Sequence, residues 1–193
     1  MNLPNKITLF RIILVPIIMI IASIERLNYI LFYNVTCQNL IILIIFAIAS
    51  FSDFLDGYIA RKKNLITNFG KFADPLADKI LVISLLIILL VQGTILKSFV
   101  VIIIIIREFA VTGIRLIAAE KNIVIAAGWL GKIKTNLQIV LIILLLINGR
   151  YTSIGVFEII TMIVMYLTLL FTVLSGTLYI INNRSVFKEE RKE

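Results

Sequence analysis

The sequence predicts an all-α membrane protein with six transmembrane helices, and three observations support this fold class. Of the 193 residues, 61% are hydrophobic, whereas soluble domains contain about 45–50% apolar residues. The apolar residues form six runs, each close to the roughly 20 residues that cross a bilayer as a helix. Basic residues border these runs, which is typical of a cytoplasmic membrane face. We expect a single transmembrane domain over residues 1–193, because no stretch is long and polar enough for a second one.

The apolar runs place the spans, in order, at Thr8–Ile24, Leu40–Ala60, Lys71–Val91, Ser98–Ala119, Lys132–Asn148 and Ile154–Ile181. Dense isoleucine, as in Ile102–Ile106, would favour a strand in a soluble protein. An isolated segment in lipid must satisfy its own backbone hydrogen bonds, however, which favours a helix. A short helix over Met1–Arg11 is predicted to lie in the membrane interface before the first span, because Leu3, Ile7 and Phe10 recur at helical spacing.

The distribution of lysine and arginine predicts how the helices are oriented. With the N-terminus in the cytoplasm, 15 of the 19 basic residues fall on the inner side and three on the outer side, while Arg107 lies within a span. An excess of basic residues marks the cytoplasmic side. We therefore expect a multi-pass protein of the cell membrane with both termini in the cytoplasm. The net charge of +8 then reflects topology, and no nucleic-acid partner is expected.

The residue types narrow the chemistry that the chain can perform. It contains no histidine and one cysteine, Cys37. An intrachain disulfide, a histidine-based triad and a thiolate or imidazole zinc site are therefore excluded. Any metal must be held by oxygen, which favours Mg²⁺, Mn²⁺ or Ca²⁺. Cys37 has no obvious activating neighbour, so it is expected to be a passive small residue.

Four aspartates form the candidate metal site. They belong to the pattern D-x2-D-G-x2-A-R-x8-G-x3-D-x3-D, which begins at Asp53 and contains Asp56, Asp74 and Asp78. Each pair lies on one face of its predicted helix, because its members are three or four residues apart. Unpaired charges in an apolar pocket are costly, and two divalent cations would compensate all four. Paired metals also stabilise the attacking and leaving oxygens of phosphoryl transfer.

The other residues of the pattern suit a phosphate ligand. Gly57 and Gly70 allow a ligand to approach the helix backbone closely, Ala60 keeps the surface shallow, and Arg61 offers a planar fork for phosphate. Two alternatives remain. The aspartates could be helix-end charges paired with nearby basic residues. They could also mark the route of a divalent-cation transporter, although acids in a transporter would be spread along the route and the glycines and arginine would have no role.

The complete pattern resembles the signature of the CDP-alcohol phosphatidyltransferases. Members of that family are six-helix membrane enzymes, usually homodimers, that move a phosphatidyl or similar group from a CDP-linked donor to an alcohol and release CMP. The resemblance implies two divalent cations, Mg²⁺ or Mn²⁺, held by Asp53, Asp56, Asp74 and Asp78. It implies that Asp78 is also the base that takes the proton of the acceptor hydroxyl. The implied nucleotide site consists of Asn5, Asp56, Gly57, Ala60, Arg61 and Gly70.

A second group of charged residues bears on the acceptor: Arg107, Glu108, Arg115, Lys132 and Lys134. A cation inside the fourth span, such as Arg107, needs a partner or a polar cavity. In one interpretation the four cations bind an anionic acceptor, and Glu108 orients an arginine. In the other, Arg107 pairs with Glu108 or another acid and the lysines only fix topology. The phosphate dianion sn-glycerol 3-phosphate suits the first interpretation; inositol phosphate suits it too, whereas serine would need fewer cations.

Three segments resemble the branch of the family that uses sn-glycerol 3-phosphate as acceptor. They are N-L-P-N-K-I-T from Asn2, R-E-F-x3-G-x-R from Arg107, and G-K-x-K-T-x2-Q from Gly131. This resemblance implies transfer of the phosphatidyl group from CDP-diacylglycerol to sn-glycerol 3-phosphate in phospholipid biosynthesis. The expected partners are these two substrates, membrane lipids and a second copy of the chain, with the active site facing the cytoplasm.

Overall fold

The computed structural model describes residues 3–32, 35–63, 68–121, 125, 128–148 and 155–184; its account of side chains omits residues 3–8, 32, 53–63, 68–75 and 78. The described part of the chain contains six α-helices: α1 (Leu3–Ser23), α2 (Cys37–Lys63), α3 (Asn68–Val91), α4 (Ser98–Glu120), α5 (Trp129–Asn148) and α6 (Val156–Asn182). The all-α prediction is confirmed, and each predicted span lies largely or wholly within one helix. The number of membrane crossings and the position of the termini stay predictions.

Within the residues that the structure describes, two helices are long and apolar enough to cross a membrane by length and composition alone, namely α5 and α6. Shorter apolar segments occupy α1, α2 and α3, at Leu9–Ser23, Cys37–Ser52 and Lys79–Val91. These apolar helices are the coarse features expected of a membrane protein.

The first helix corrects one sequence prediction. A separate interfacial helix over Met1–Arg11 was expected, but α1 runs without interruption from Leu3 to Ser23. Pro4 falls in the first turn, where a backbone N–H would have no partner within the helix, so it does not break the helix. The residues from Asn5 to Arg11 include no glycine or further proline that would end it.

A short hairpin between α1 and α2 is absent from the sequence prediction. A 3-10 turn at Glu25–Leu27 leads into two antiparallel strands, β1 (Ile30–Phe32) and β2 (Val35–Thr36). Strands of two and three residues are too short to leave a periodic pattern. Beside the hairpin, a hydrogen bond with the side chain of Cys37 raises the pKa of Tyr29 above its usual value of 10.0.

The chain forms two compact units, and the first comprises Met1–Ile95 with Ile142–Ile154. In it, α1 packs against both α2 and α3. Its buried apolar side chains include Ile18, Ile42, Phe46, Leu85 and Leu89. Polar contacts fasten the helix ends: Gln38 Nε2 donates to the carbonyl oxygens of Ile21 and Ala22, at 2.9 Å each. Asn39 Nδ2 donates to the carbonyl oxygen of Leu146 at 3.2 Å, which fixes the end of α5 to the start of α2.

The second unit comprises Leu96–Leu141 with Gly155–Glu193, and in it α4 packs against α6. The buried face of α6 is unusually polar, whereas its exposed face is apolar. The buried polar residues of α6 lie three, four or seven positions apart, as expected for one helix face: Glu158, Thr161, Thr168, Thr172 and Ser175. The face of α6 that is turned away from lipid or solvent therefore carries hydroxyl groups, and it lies on the helix that contacts α4.

Candidate functional site

The four aspartates lie on the two helices that the sequence predicts for them. Asp53 and Asp56 belong to the C-terminal part of α2, and Asp74 and Asp78 to the N-terminal half of α3. The members of each pair are about 4.5 and 6 Å apart along the helix axis. Both helices contact α1. The aspartate side chains themselves lie outside the described residues.

Metal binding consequently stays a prediction. No group of three or more acidic, histidine or cysteine residues that could hold a metal occurs among the described side chains, and that set does not include the aspartates. The donor set still fits a hard cation, because the chain offers carboxylate oxygen and no imidazole. The predicted nucleotide residues Asn5, Asp56, Gly57, Ala60, Arg61 and Gly70 also lie outside the described side chains.

The second predicted group is built around the carboxylate of Glu108. Arg107 Nη1 donates a hydrogen bond to Glu108 Oε1 over 3.2 Å. Lys134 Nζ contacts the same oxygen. Glu108 and Lys134 are buried, with 8% and 2% of their surface exposed. One carboxylate oxygen therefore contacts two cations.

Local sequence explains how these three residues meet. Arg107 and Glu108 are consecutive on α4, so their side chains leave the helix about 100° apart, and Glu108 points into the unit. The hydroxyl of Thr112 donates to the carbonyl oxygen of Glu108 at 2.7 Å, one turn further along. The first turn of α5 lies against the arginine: a Cβ placed on Gly131 would be 3.7 Å from Arg107 Nη2.

Helix α6 supplies contacts that the sequence analysis does not predict. Arg107 Nη2 donates to Ser175 Oγ over 3.2 Å. At the next residue, a Cβ placed on Gly176 would be 2.9 Å from Arg107 Cγ. The sequence signal for this face is the recurrence of serine, threonine and glycine at helical spacing in an otherwise apolar helix.

The two remaining predicted cations differ in their surroundings. Arg115 lies eight residues after Arg107 on α4, about 12 Å along the axis. Its Nε donates to the hydroxyl of Tyr179 over 3.3 Å, and its guanidinium carbon lies 5.6 Å from the centre of the Tyr179 ring. Lys132 is exposed at the start of α5. The structure therefore brings Arg107, Glu108 and Lys134 together, holds Arg115 against α6, and leaves Lys132 at the surface.

Two buried nitrogen atoms in this unit have no hydrogen-bond acceptor within the described part of the chain: Arg107 Nε and Gln138 Nε2. Gln138 is 3% exposed and lies one turn after Lys134 on α5. A buried donor without a partner costs about 1–3 kcal/mol. Such donors beside a cationic cluster are suited to an anionic or hydroxylated ligand. Gln138 ends the segment G-K-x-K-T-x2-Q, which resembles the glycerol-3-phosphate branch of the family, although it was not among the predicted site residues.

The comparison with known protein families identifies the class of protein. The sequence profile of the CDP-alcohol phosphatidyltransferase family matches residues 1–174, and the chain belongs to this family. The family predicted from the aspartate pattern is therefore confirmed.

Individual relatives are similar over most of their length. A CDP-diacylglycerol--glycerol-3-phosphate 3-phosphatidyltransferase of Bacillus subtilis is 47% identical over 191 residues, which is 97% of each chain. The protein of the same name from Rickettsia typhi is 35% identical over 179 residues, 92% of this chain and 94% of its own. The corresponding protein from Mycoplasma genitalium is 39% identical over 147 residues, 72% of this chain and 62% of its own.

Proposed function

We propose that this chain is a membrane enzyme that transfers the phosphatidyl group of CDP-diacylglycerol to sn-glycerol 3-phosphate, giving phosphatidylglycerol phosphate and CMP. Family membership supports the reaction type, since the family profile spans 174 of 193 residues. Relatives that carry the name of this activity support the choice of donor and acceptor, because their similarity extends over 97% and 92% of the chain.

The structural observation that carries the acceptor assignment is the buried cluster of Arg107, Glu108 and Lys134. Two cations contact one carboxylate oxygen there, and guanidinium and ammonium groups are the side chains that bind phosphate. A guanidinium presents five donors in a planar fork that suits phosphate. Arg107 uses Nη1 and Nη2 for Glu108 and Ser175, and each of these nitrogens carries a second hydrogen. A small phosphate dianion such as sn-glycerol 3-phosphate matches this arrangement better than a neutral or zwitterionic alcohol.

The reaction assigned to the aspartate pattern is a direct displacement. The carboxylate of Asp78 takes the proton of the glycerol 1-hydroxyl, and the oxygen forms a bond to the phosphorus that carries diacylglycerol. The bond from that phosphorus to the CMP oxygen breaks, and CMP leaves. Two divalent cations, held by Asp53, Asp56, Asp74 and Asp78, would supply positive charge for the diphosphate when bound. Arg61 adds further positive charge, so the step requires proximity and electrostatic stabilisation and no covalent enzyme intermediate.

The remaining assignments concern the donor and the surroundings of the site. The nucleotide of the donor is assigned to Asn5, Asp56, Gly57, Ala60, Arg61 and Gly70. Six membrane crossings with both termini inside would open the site to the cytoplasm, where the water-soluble acceptor is found, and to lipid, where the donor resides. We also propose that the chain acts as a homodimer in the cell membrane.

The test is release of CMP by purified protein in micelles of CDP-diacylglycerol with Mg²⁺. The acceptors compared are sn-glycerol 3-phosphate, inositol phosphate, serine and none. Asp78→Asn should abolish release. Glu120→Gln likewise replaces a carboxylate by an amide, but at an exposed position of α4, and should leave release intact. Release with inositol phosphate or serine alone would keep the family and reject the assigned acceptor. Folded protein that releases no CMP with any acceptor, and that does not bind CMP when Mg²⁺ or Mn²⁺ is present, would reject the proposed chemistry and favour ion transport.

A further inference from the structure

We infer that three residues of α6, namely Ser175, Gly176 and Tyr179, position Arg107 and Arg115, the two arginines that the sequence assigns to the acceptor phosphate. These three residues form the arginine seat. The inference rests on the proposed function, and it adds residues outside the aspartate pattern and outside the predicted cationic group. The seat residues do not touch the reacting atoms; they act through Arg107 and Arg115.

The hydroxyl of Ser175 is arranged to accept a hydrogen bond from Arg107. A serine hydroxyl has one hydrogen to donate and two lone pairs. Ser175 Oγ donates its hydrogen to the carbonyl oxygen of Thr172 at 3.2 Å, which leaves the lone pairs for Arg107 Nη2 at 3.2 Å. Since Ser175 is only 5% exposed, no bulk water competes for this bond. The guanidinium is therefore held on one side by Glu108 and on the other by Ser175.

Gly176 provides the space that the Arg107 side chain occupies. A Cβ at this position would lie 2.9 Å from Arg107 Cγ, 3.8 Å from Cβ and 4.0 Å from Nε. These atoms are the near part of the side chain, which moves less freely than its end. Any larger residue at 176 would push the whole arginine away from α6. The glycine is thus needed for a close approach between α4 and α6, as small residues are in packed membrane helices.

Tyr179 holds the second arginine in two ways. Its hydroxyl accepts a hydrogen bond from Arg115 Nε over 3.3 Å. Its ring lies 5.6 Å from the guanidinium carbon, within the range of a cation–π contact. Nε is the nitrogen nearest the aliphatic stem, so both terminal nitrogens of Arg115 stay available for a ligand. Tyr179 is one turn after Ser175, so both residues lie on the same side of α6.

Such positioning matters because phosphate recognition by arginine depends on the direction of its donors. A misplacement of about 1 Å at a substrate-binding group can cost 100-fold in rate. Arginine has many rotamers, and fixing them in advance removes an entropy cost from acceptor binding. Loss of the seat should therefore weaken binding of the acceptor and leave donor binding unchanged.

The same face of α6 offers a matched control. Among the described residues, the hydroxyl of Thr168 donates to the carbonyl oxygen of Val164, within its own helix, at 2.7 Å. Thr168 is fully buried and lies two turns before Ser175. Thr168→Val removes a buried hydroxyl from the helix that carries the seat, and it does not remove any contact with an arginine.

The experiment compares Ser175→Ala, Ser175→Thr and Thr168→Val in the CMP-release assay, with each substrate varied in turn. Ser175→Ala should raise KM for sn-glycerol 3-phosphate about 10-fold or more, as expected for the loss of one hydrogen bond to a charged group. KM for CDP-diacylglycerol should stay within about twofold of the starting protein. Ser175→Thr keeps a hydroxyl and should restore most of the acceptor affinity, and Thr168→Val should behave like the starting protein.

A second pair of variants tests Tyr179. Tyr179→Phe keeps the ring and removes the hydroxyl, so KM for sn-glycerol 3-phosphate should rise about 2- to 5-fold, the effect of one modest hydrogen bond. Tyr166→Phe, at an exposed tyrosine of the same helix, should change nothing. If Ser175→Ala does not fold, Ser175→Thr still tests the contact with Arg107, and the comparison of Tyr179→Phe with Tyr166→Phe tests the contact with Arg115 independently.

A binding measurement separates a positioning role from a structural one. Glycerol 3-phosphate and inorganic phosphate should each raise the thermal midpoint of the starting protein, because a ligand of the folded state stabilises it. Ser175→Ala and Tyr179→Phe should show a smaller rise at the same ligand concentration, with similar midpoints without ligand. Equal rises in the variants and their controls, or KM values that change equally for both substrates, would overturn the inference. If the starting protein itself does not use sn-glycerol 3-phosphate, the proposed function fails first, and the acceptor that is used then serves as the ligand for the same comparison.

Discussion

The α-carbon of Gly176 faces the side chain of Arg107 so closely that an added Cβ would lie 2.9 Å from the arginine Cγ. This relationship joins α6 to the charged residue in the middle of α4. A contact below 3 Å between carbon atoms cannot persist, so any substitution at 176 must move the arginine. The consequences for stability and for acceptor binding can be measured separately.

Gly176→Ala should impair acceptor use more than it impairs folding. Overpacking costs about 1–3 kcal/mol, and the gain in helix propensity from glycine to alanine returns about 1 kcal/mol. We therefore expect a thermal midpoint that is slightly lowered, together with a KM for sn-glycerol 3-phosphate that is raised about 10-fold or more by the displaced arginine. Gly113→Ala is the control, because a Cβ there meets no described atom within 4 Å. An unchanged KM in Gly176→Ala would contradict this prediction.

Replacement by glutamine should destabilise the protein much more at Glu108 than at Glu158, the second buried glutamate. Glu108→Gln removes the charge that compensates Arg107 and Lys134, and breaking a buried ion pair costs about 3–5 kcal/mol. Glu158 is equally buried, at 4% exposure, but its Oε2 has no hydrogen-bond partner within the described residues. Glu158→Gln should lose only the favourable effect of an acid in the first turn of α6, about 0.3–1 kcal/mol.

Thermal unfolding of both glutamine variants in detergent measures this difference. A large drop in the midpoint for Glu108→Gln and a small change for Glu158→Gln are expected. If the two variants lose equal stability, the contacts of Glu108 with the cations do not stabilise the fold.

Replacing Gln38 should lower the free energy of unfolding more than replacing Gln92, although the two side chains are hydrogen-bonded to each other. Gln38 Nε2 contacts carbonyl oxygens at the end of α1, and its Oε1 accepts from Gln92 Nε2 at 3.1 Å. Gln38→Leu loses all of these bonds and should cost about 2–4 kcal/mol. Gln92→Leu loses one bond and also removes a buried oxygen without a partner, so its net cost should be about 1 kcal/mol or less. Chemical or thermal unfolding of the two variants measures this difference. A larger loss of stability in Gln92→Leu than in Gln38→Leu would contradict the role of Gln38 in holding the helix ends together.

Removal of divalent cations should abolish CMP release reversibly. The physical reason is that the four carboxylates of the proposed site would need compensating charge, and that metals stabilise a transferring phosphoryl group. Treatment with EDTA should stop the reaction, and added Mg²⁺ or Mn²⁺ should restore it. All four aspartates of the chain belong to this pattern, so Asp53→Asn, Asp56→Asn and Asp74→Asn should each require a higher metal concentration for half-maximal rate. Full activity in EDTA would rule out the two-metal proposal.

The helices were predictable because the signal for them is local and repeated. Long apolar runs must satisfy their backbone hydrogen bonds internally, and the observed bounds of α3, α4 and α5 differ from the predicted ones by no more than three residues. The hairpin of β1 and β2 was missed because its strands are too short for any periodicity. The extent of α1 was misjudged because a break was expected near Arg11 where the sequence contains no residue that would cause one.

The charged part of the candidate site was predictable for a related reason. Charges in an apolar chain are rare and costly, so Asp53, Arg107 and Lys134 were conspicuous by position alone. The α6 residues Ser175, Gly176 and Tyr179 gave no such signal. Small and hydroxylated residues are common in membrane helices, and nothing in the sequence indicates which helix they face.

The sequence by itself determined the family, the helical class and the residue types available for chemistry, because each of these depends on local spacing and composition. Only the tertiary structure decided that Glu108 contacts both Arg107 and Lys134, and that α6 holds Arg107 and Arg115. Those contacts join residues 26, 68 and 64 positions apart. They depend on how α4 packs against its neighbours, and no local pattern encodes that packing.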